Sequence, residues 1–178
     1  MNKNNKLEEF LSKIFKSPVY KMVDVSSKEI TNRKALATGE IILGSQVIKM
    51  IKAKKMPKGD PLSIAEVSGI NGVKKTSELI PLCHPLPLDH ISLHTEINEK
   101  KYSVVVYCLV SANSKTGVEM EALSGVNSAL LAIYDLSKIV EPNLKITNTK
   151  LLLKSGGKKG LWINPDGVPS KIKNILNI

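Results

Sequence analysis

The sequence is poor in cysteine, arginine and aromatic residues. Its 178 residues include only two cysteines, Cys83 and Cys108, and one arginine, Arg33, and aromatic residues make up 4%. Two cysteines, one of them inside the apolar run YSVVVYCLV, favour a reducing cytosol over a disulfide-rich secreted scaffold. We therefore expect a cytoplasmic protein that depends on its hydrophobic core, because a chain of this length can bury about 70% of its unfolded surface.

Long hydrophobic runs are also absent. No apolar stretch approaches the ~20 residues that span a bilayer, and the N-terminus lacks the apolar core of a signal peptide. We therefore expect a soluble protein with no membrane partner. The opening segment KLEEFLSKIFK nevertheless predicts an amphipathic helix. Its apolar positions are Leu7, Phe10, Leu11, Ile14 and Phe15. We favour packing of this helix on its own fold or on another subunit over membrane attachment or organelle targeting.

Acidic residues are too few to balance the lysines. The chain has 26 basic and 16 acidic residues, a formal net charge of +10. Such a surface suits nucleic acid, an anionic small molecule or simple solubility. Aromatic side chains that stack on bases and forked arginines that contact base edges are scarce, so the charge alone does not choose among these alternatives.

Hydrophobic patterning predicts one domain with the element order β-α-α-β-β-α-β. The pattern is that of an α+β fold, a ferredoxin-like sandwich with a mostly antiparallel sheet and helices packed on one face. Strands are predicted over residues 34–43, 91–98, 102–110 and 144–154, and helices over 45–54, 61–80 and 117–140. Asp60-Pro61 is a typical helix start, and Thr116 and Glu119 have the spacing of a capping box.

The second predicted helix carries small residues on one face. Ala65, Gly69 and Thr76 recur at helical spacing with Leu62 and Val73. Each glycine costs about 1 kcal/mol relative to alanine in a helix. We therefore expect a sheet or a neighbouring subunit to pack unusually close to this face.

The stretch KKTSELIPLCHPLPLDH contains the most reactive side chains. Adjacent side chains of an extended segment point to opposite faces, so Cys83 and His84 do not face each other as nucleophile and base. A zinc site is also disfavoured, because no Cys-x-x-Cys occurs and the histidine spacing is wrong. His90 and His94 are expected to be polar surface residues. His84, held by Pro85 in a turn, is as suitable for binding a ligand as for a structural role.

Lysines and one carboxylate form a second set of candidates. Lys58 directly precedes a predicted helix N-terminus, where free amides and the helix dipole favour an anion. Asp135 and Lys138 share a helical face, so they can meet one ligand or form an ordinary surface ion pair. The loop SGGKKG is a weak phosphate-binding candidate, because it does not match the GxxxxGK[ST] pattern.

Taken together, several strings resemble one family. MVDVSSKEITNRKA, MPKGDPL, KKTSELIPLCHPLPL, KTGVEMEAL, IYDLSK and LLLKSGGKKG are similar to cyclic pyranopterin monophosphate synthases, also called molybdenum cofactor biosynthesis protein C. The resemblance extends from Met22 to Gly160. It divides the chain into an N-terminal extension (1–21), a catalytic domain (22–160) and a C-terminal tail (161–178).

The resemblance implies a fold, an assembly and a reaction. The fold is ferredoxin-like, and the assembly is a hexamer, a trimer of dimers with active sites at dimer interfaces. The reaction is that of a lyase, which converts 3′,8-cyclo-7,8-dihydro-GTP to cyclic pyranopterin monophosphate and releases pyrophosphate. No metal, organic cofactor or nucleic-acid partner is implied.

The resemblance also implies roles for particular residues. The catalytic residues are Asp135, Lys58 and Lys138. The residues that bind substrate or line the same pocket are Leu82, Cys83, His84, Met120, Glu121, Glu119, Arg33, Lys74, Lys154 and Lys158. Within this scheme, Arg33, Lys154 and Lys158 hold phosphates, and His84 with Glu121 orients the base.

Two segments depart from the family pattern. SGVNSALLA, between Leu123 and Ile133, replaces a threonine- and alanine-rich string, and Gly72-Val73 replaces a pair of alanines. Both are expected at packing positions.

Three further hypotheses follow from the residues. We expect clustered cations to lower the pKa of Lys58 or Lys138, which would make that lysine a better base. A lysine-rich nucleic-acid-binding module is the alternative function. A thiol hydrolase that uses Cys83 is a weaker one.

Overall fold

A computed structural model describes residues 3–15 and 20–176. Each strand and helix predicted between residues 34 and 154 is present, with shifted ends. The elements are α1 (Lys3–Ile14), β1 (Thr31–Ile42), α2 (Gly44–Lys52), α3 (Pro61–Lys74), α4 (Thr76–Leu79), β2 (His90–Asn98), β3 (Ser103–Ser114), α5 (Glu119–Ser137), β4 (Lys145–Ser155), β5 (Trp162–Ile163) and α6 (Ser170–Leu176). None of the helices in the described residues is long and apolar enough to cross a membrane.

The described strands form a five-stranded sheet in the order β2-β3-β1-β4-β5. Every neighbouring pair in it is antiparallel. Alternate residues of β1 and β3, such as Ala37 and Val106, are fully buried, because successive side chains of a strand point to opposite faces. That buried face packs against α3 and α5. The predicted α+β class with helices on one face is confirmed, and the strand order is compatible with the ferredoxin-like plan.

Small residues let α3 lie directly on α5. A Cβ added to Gly72 would lie 2.5 Å from Ser128 Cβ and 3.0 Å from the Ser124 carbonyl oxygen. A Cβ added to Gly125 would lie 2.6 Å from Val73 Cγ2. On the predicted small face itself, a Cβ added to Gly69 would lie 3.0 Å from the Gly125 carbonyl oxygen. The predicted close approach of α3 is therefore confirmed, and its partners belong to the same chain.

This contact also explains the two departures from the family pattern. Gly72 faces Ser124 and Ser128, and Val73 faces Gly125. The two unusual segments thus pack against each other, with a small residue opposite a larger one in each case.

The predicted helix over residues 61–80 is broken at Lys75. The structure has α3 as far as Lys74 and then the single turn α4. The hydroxyl proton of Thr76 is shared between the carbonyl oxygens of Gly72 and Val73, which lie 3.2 and 2.9 Å from Thr76 Oγ1. Such side-chain bonds compete with the regular helix ladder, which explains the break.

The predicted capping box is wrong. Val118 is the N-cap of α5, and it makes no side-chain cap hydrogen bond. The Glu119 carboxylate instead accepts a hydrogen bond from Lys154 Nζ at 2.9 Å. A charged partner on β4 therefore replaces the expected return of Glu119 to the cap amide. At the start of α3, the predicted cap is confirmed, because Asp60 Oδ1 accepts from the Leu62 amide at 3.0 Å.

The N-terminal segment contains the helix that its sequence predicts, and the C-terminal tail contains more structure than predicted. The amphipathic helix is present as α1, but it does not bury its apolar face on this chain: Leu7, Phe10, Ile14 and Phe15 are exposed. The tail adds β5 to the edge of the sheet and ends in α6. Residues 1, 2, 16–19, 177 and 178 of these predicted segments lie outside the described residues.

The contact between α3 and α5 generates a stability prediction. Gly72→Ala should lower the free energy of unfolding, because the steric cost of overpacking, about 1–3 kcal/mol, exceeds the gain in helix propensity of up to about 1 kcal/mol. Urea denaturation measures the change. Glu66→Ala, at an exposed position of the same helix, is the control and should change stability by less than about 0.5 kcal/mol, because Glu and Ala are both good helix formers.

A double-mutant cycle separates the clash from other effects. In a Ser128→Gly background, Gly72→Ala should cost less than it costs in the wild type, because the facing side chain has been removed. Equal costs in the two backgrounds would show that Ser128 does not limit the residue at position 72.

Candidate active site

Three of the predicted site residues meet at the C-terminal end of α5. Lys58 Nζ lies 2.9 Å from Asp135 Oδ2, and Lys138 Nζ lies 2.8 Å from Asp135 Oδ1. Lys58 comes from the loop before α3, whereas Lys138 is the C-cap of α5. The carboxylate of Asp135 therefore bridges two ammonium groups from different elements. Asp135 and Lys138 reach each other, which is one of the two alternatives that their spacing allows.

The charges of this triad are mutually stabilised. The hydrogen bond from Lys138, followed by that from Lys58, lowers the pKa of Asp135 to about 2. The same hydrogen bond from Lys138 to Asp135 raises the pKa of Lys138. The expectation that clustered cations lower a lysine pKa is therefore wrong for Lys138, because its nearest charge is the Asp135 carboxylate and not another lysine.

A cavity of about 270 Å³ lies near the opposite end of α5. It is lined by Lys74 and Ser77 from the end of α3 and from α4, by His84 and Pro85 from the extended segment, and by Glu121 from α5. Glu121 is 5% exposed, and this burial raises the pKa of its carboxyl group, as does the neighbouring charge of Glu119. The structure thus brings Lys74, His84 and Glu121 together as lining residues of one cavity.

Cys83 is close to this cavity without being activated. Burial raises the pKa of its thiol, and the charge of Glu121 adds to that effect. A nucleophilic cysteine requires the opposite shift. The raised pKa of Cys83 therefore disfavours the thiol hydrolase hypothesis. The second cysteine, Cys108, is fully buried, and burial raises its pKa to about 12.

A third group of site residues lies at the start of α5 and the end of β4. Lys154 Nζ pairs with Glu119 Oε1 at 2.9 Å. The Arg33 guanidinium donates long hydrogen bonds to the Ser114 and Lys115 carbonyl oxygens, both at 3.4 Å. It lies directly over Gly157, where any side chain would collide with it.

The remaining predicted residues do not converge in this chain. Leu82 and Met120 are 49% and 40% exposed, although Met120 is next to the cavity residue Glu121 in the sequence. Lys158 is exposed in the glycine-rich turn. His90 and His94 are exposed on β2, as expected, and the His94 ring stacks on Tyr107 with 6.4 Å between ring centres. Among the described residues, no three His, Cys, Asp or Glu side chains are grouped so that they could hold a metal ion.

The triad and the cavity are far apart within one chain. Glu121 and Asp135 both belong to α5, and a rise of 1.5 Å per residue separates them by about 21 Å. Proton transfer requires donor and acceptor to approach to about 2.6–3.2 Å. The two groups of one subunit therefore cannot both act on the same reacting atoms.

Comparison with known proteins identifies the family of this chain. The model of the MoaC family matches residues 22–157. The chain belongs to the MoaC family. The matched region contains the triad, the cavity and the Lys154–Glu119 pair, and it excludes α1, β5 and α6.

Curated relatives in the MoaC family cover most of the chain. A protein of Cereibacter sphaeroides named cyclic pyranopterin monophosphate synthase is 45% identical over 78% of this chain and 87% of its own length. A protein of Aquifex aeolicus with the same name is 44% identical over 82% of the chain and 57% of its own length. A mitochondrial protein of Arabidopsis thaliana, also of that name, is 45% identical over 79% of the chain, which spans only 52% of that relative. None of these names supports the nucleic-acid-binding alternative.

The triad generates a prediction about Lys138. Asp135→Asn should lower the pKa of Lys138 relative to the wild type, because an uncharged amide no longer favours the protonated ammonium. The measurement is an NMR titration of the Lys138 side chain. Asp166→Asn, at an exposed carboxylate that pairs with Lys150, is the control variant and should leave the Lys138 titration unchanged. An unchanged Lys138 titration would contradict the hydrogen bond to Asp135.

Proposed function

We propose that this MoaC-family chain is a lyase of molybdenum cofactor biosynthesis that acts on 3′,8-cyclo-7,8-dihydro-GTP. The product is cyclic pyranopterin monophosphate, and pyrophosphate is released. The observation that carries the proposal is the Lys58–Asp135–Lys138 triad, which lies within the family match. No metal or organic cofactor is part of the proposal.

The triad supplies protons in its resting state. With Asp135 ionised and the pKa of Lys138 raised, both groups are charged at neutral pH. Rearrangement of the substrate rings requires several proton transfers, and a positioned acid or base contributes about 10²- to 10⁴-fold in rate. Lys58 and Lys138 are the proton donors of this scheme, and Asp135 holds both ammonium groups in position.

The cavity offers a carboxyl group of a different kind. Glu121 is buried and its pKa is raised, whereas the pKa of Asp135 is lowered. Two carboxyl groups whose pKa values are shifted in opposite directions are suited to different roles in a site. Glu121 and His84 face the same cavity, where we assign them to orienting the base of the substrate.

Cations on β1, on β4 and in the turn after β4 are suited to the phosphates. Arg33, Lys154 and Lys158 lie on β1, on β4 and in the turn that follows β4, and Lys74 lines the cavity. Their positive charge offsets the negative charge of a triphosphate. The forked guanidinium of Arg33 can bind two phosphate oxygens at once.

A composite site between two subunits resolves the separation of triad and cavity. In a symmetric dimer, the same surface of each subunit contributes to the interface. An antiparallel arrangement of two α5 helices brings the triad of one subunit to the cavity of the other and forms two equal sites. We propose such a dimer as the active unit of a cytoplasmic hexamer, with residues 22–160 as the catalytic domain of each subunit.

Turnover is the first test of this function. The purified full chain should convert 3′,8-cyclo-7,8-dihydro-GTP to the pterin product and pyrophosphate in a single-turnover assay. Lys58→Ala should slow product formation by about 10²- to 10⁴-fold, because it removes a proton donor. Lys55→Ala, at an exposed lysine in the preceding loop, is the matched control and should retain activity. An inactive wild type, or an unaffected Lys58→Ala variant, would contradict the assignment.

Subunit mixing is the test of the composite site. Lys58→Ala and Glu121→Gln should each be inactive alone, and co-expression of the two should restore about a quarter of the wild-type activity. In a random mixture half of the dimers are mixed, and each mixed dimer has one site with both native residues. A different tag on each variant allows the mixed oligomers to be purified. If these oligomers recover no activity, the triad and the cavity do not meet across subunits.

A further inference from the structure

Trp162 lies beside a substrate residue although it is outside the family match. It belongs to β5, and its strand partner is Lys154 of β4. Residues directly opposite each other on antiparallel strands project from the same face of the sheet. Trp162 and Lys154 are therefore neighbours on one face, at the edge of the sheet.

A bulge in β4 determines which face this is. Leu36 pairs with Leu153 and Ala37 with Leu151, so Leu152 is an extra residue in the ladder. Because of the extra residue, Lys154 pairs with Ala35, which is fully buried under the helices. Without it, the alternation of the strand would turn Lys154 to the other face. The bulge therefore directs Lys154, and with it Trp162, toward the start of α5.

The Lys154 ammonium has one carboxylate partner and one aromatic partner. Its Nζ lies 2.9 Å from Glu119 Oε1 and 5.9 Å from the centre of the Trp162 ring. An ammonium within about 6 Å of an aromatic ring centre is attracted by the ring. Unlike a second carboxylate, the ring holds the ammonium without cancelling its charge, so the site keeps its attraction for an anion.

Hydrogen bonds to β4 also hold the chain that follows Trp162. The Asn164 amide donates to the Leu152 carbonyl oxygen at 2.9 Å, and Asn164 Nδ2 donates to the Leu151 carbonyl oxygen at 2.8 Å. These bonds tie the residues after Trp162 to β4. Trp162 is 37% exposed, which leaves part of its surface open beside the ammonium.

We infer that Trp162 is a positioning residue of the phosphate-binding end of the site, where its ring holds the Lys154 ammonium in place for a phosphate of the substrate. This inference rests on the proposed function, because the phosphate is that of the proposed substrate. It extends the site beyond the family match, to the edge strand formed by the C-terminal tail.

Fluorescence offers a direct test, because Trp162 is the only tryptophan of the chain. Titration of the full-length oligomer with inorganic pyrophosphate should change the tryptophan emission in a saturable way. Lys154→Met should abolish the saturable change, whereas Lys145→Met, at an exposed position of the same strand, should retain it. A saturable change that persists in Lys154→Met, or no change in the wild type, would overturn the inference.

Substitution of the ring separates positioning from a merely structural role. Trp162→Leu should weaken binding of pyrophosphate and raise KM by about two- to five-fold, the range expected for an exposed cation–π contact, with a smaller effect on kcat. Trp162→Phe, which keeps an aromatic ring, should restore most of the affinity. An equal loss of pyrophosphate affinity in Trp162→Leu and Trp162→Phe would overturn the inference, as would an unchanged KM in Trp162→Leu. Should Trp162→Leu fail to assemble, the Lys154→Met titration decides.

The two tests also separate this inference from the proposed function. A wild type that turns over substrate while Trp162→Leu keeps its KM would refute the role of Trp162 alone. A wild type without turnover but with Lys154-dependent fluorescence would refute the proposed reaction and support the anion site.

Discussion

The close contact between α3 and α5 is the constraint on which both ends of the site depend. Lys58 precedes α3 and reaches Asp135 near the end of α5. The residues that end α3 share a cavity with Glu121 near the start of α5. The two helices therefore run in opposite directions, and one packing surface positions two separate groups of reactive side chains. Gly72 and Gly125 permit that surface to be tight.

The fold could be predicted because its signals are local. Apolar and alternating patterns predicted β1, β2, β3 and β4 but not β5, and Asp60-Pro61 predicted the start of α3. The break at Lys75 could not be predicted, because it depends on which carbonyl oxygens the Thr76 hydroxyl selects. The capping box failed for a related reason. Glu119 has a partner on β4, 35 residues away in the sequence. The spacing of neighbouring residues does not predict such a contact.

The candidate site shows the same division between local and distant information. The pairing of Asp135 with Lys138 follows from helical spacing alone, whereas the approach of Lys58 requires the tertiary fold. Lys154 is the clearest case. Alternation in LKITNTKLLLK is weak because Leu152 interrupts the register, and only the paired strands show that Lys154 faces α5. Trp162 was missed since neither spacing nor the family match includes the tail in the site.

Electrostatic pairing limits what each end of the site can do by itself. At one end the Asp135 carboxylate is shared by two ammonium groups, and at the other end Glu119 and Lys154 form a pair. Paired groups keep their charges and hold their positions, but they have little tendency to exchange protons with each other. Glu121 differs because burial disfavours its charge. In the composite site that we propose, an anionic substrate is a further partner for these lysines and competes for them with Asp135 and Glu119. The ion pairs of the free chain therefore mark the ammonium groups that such a substrate has to win.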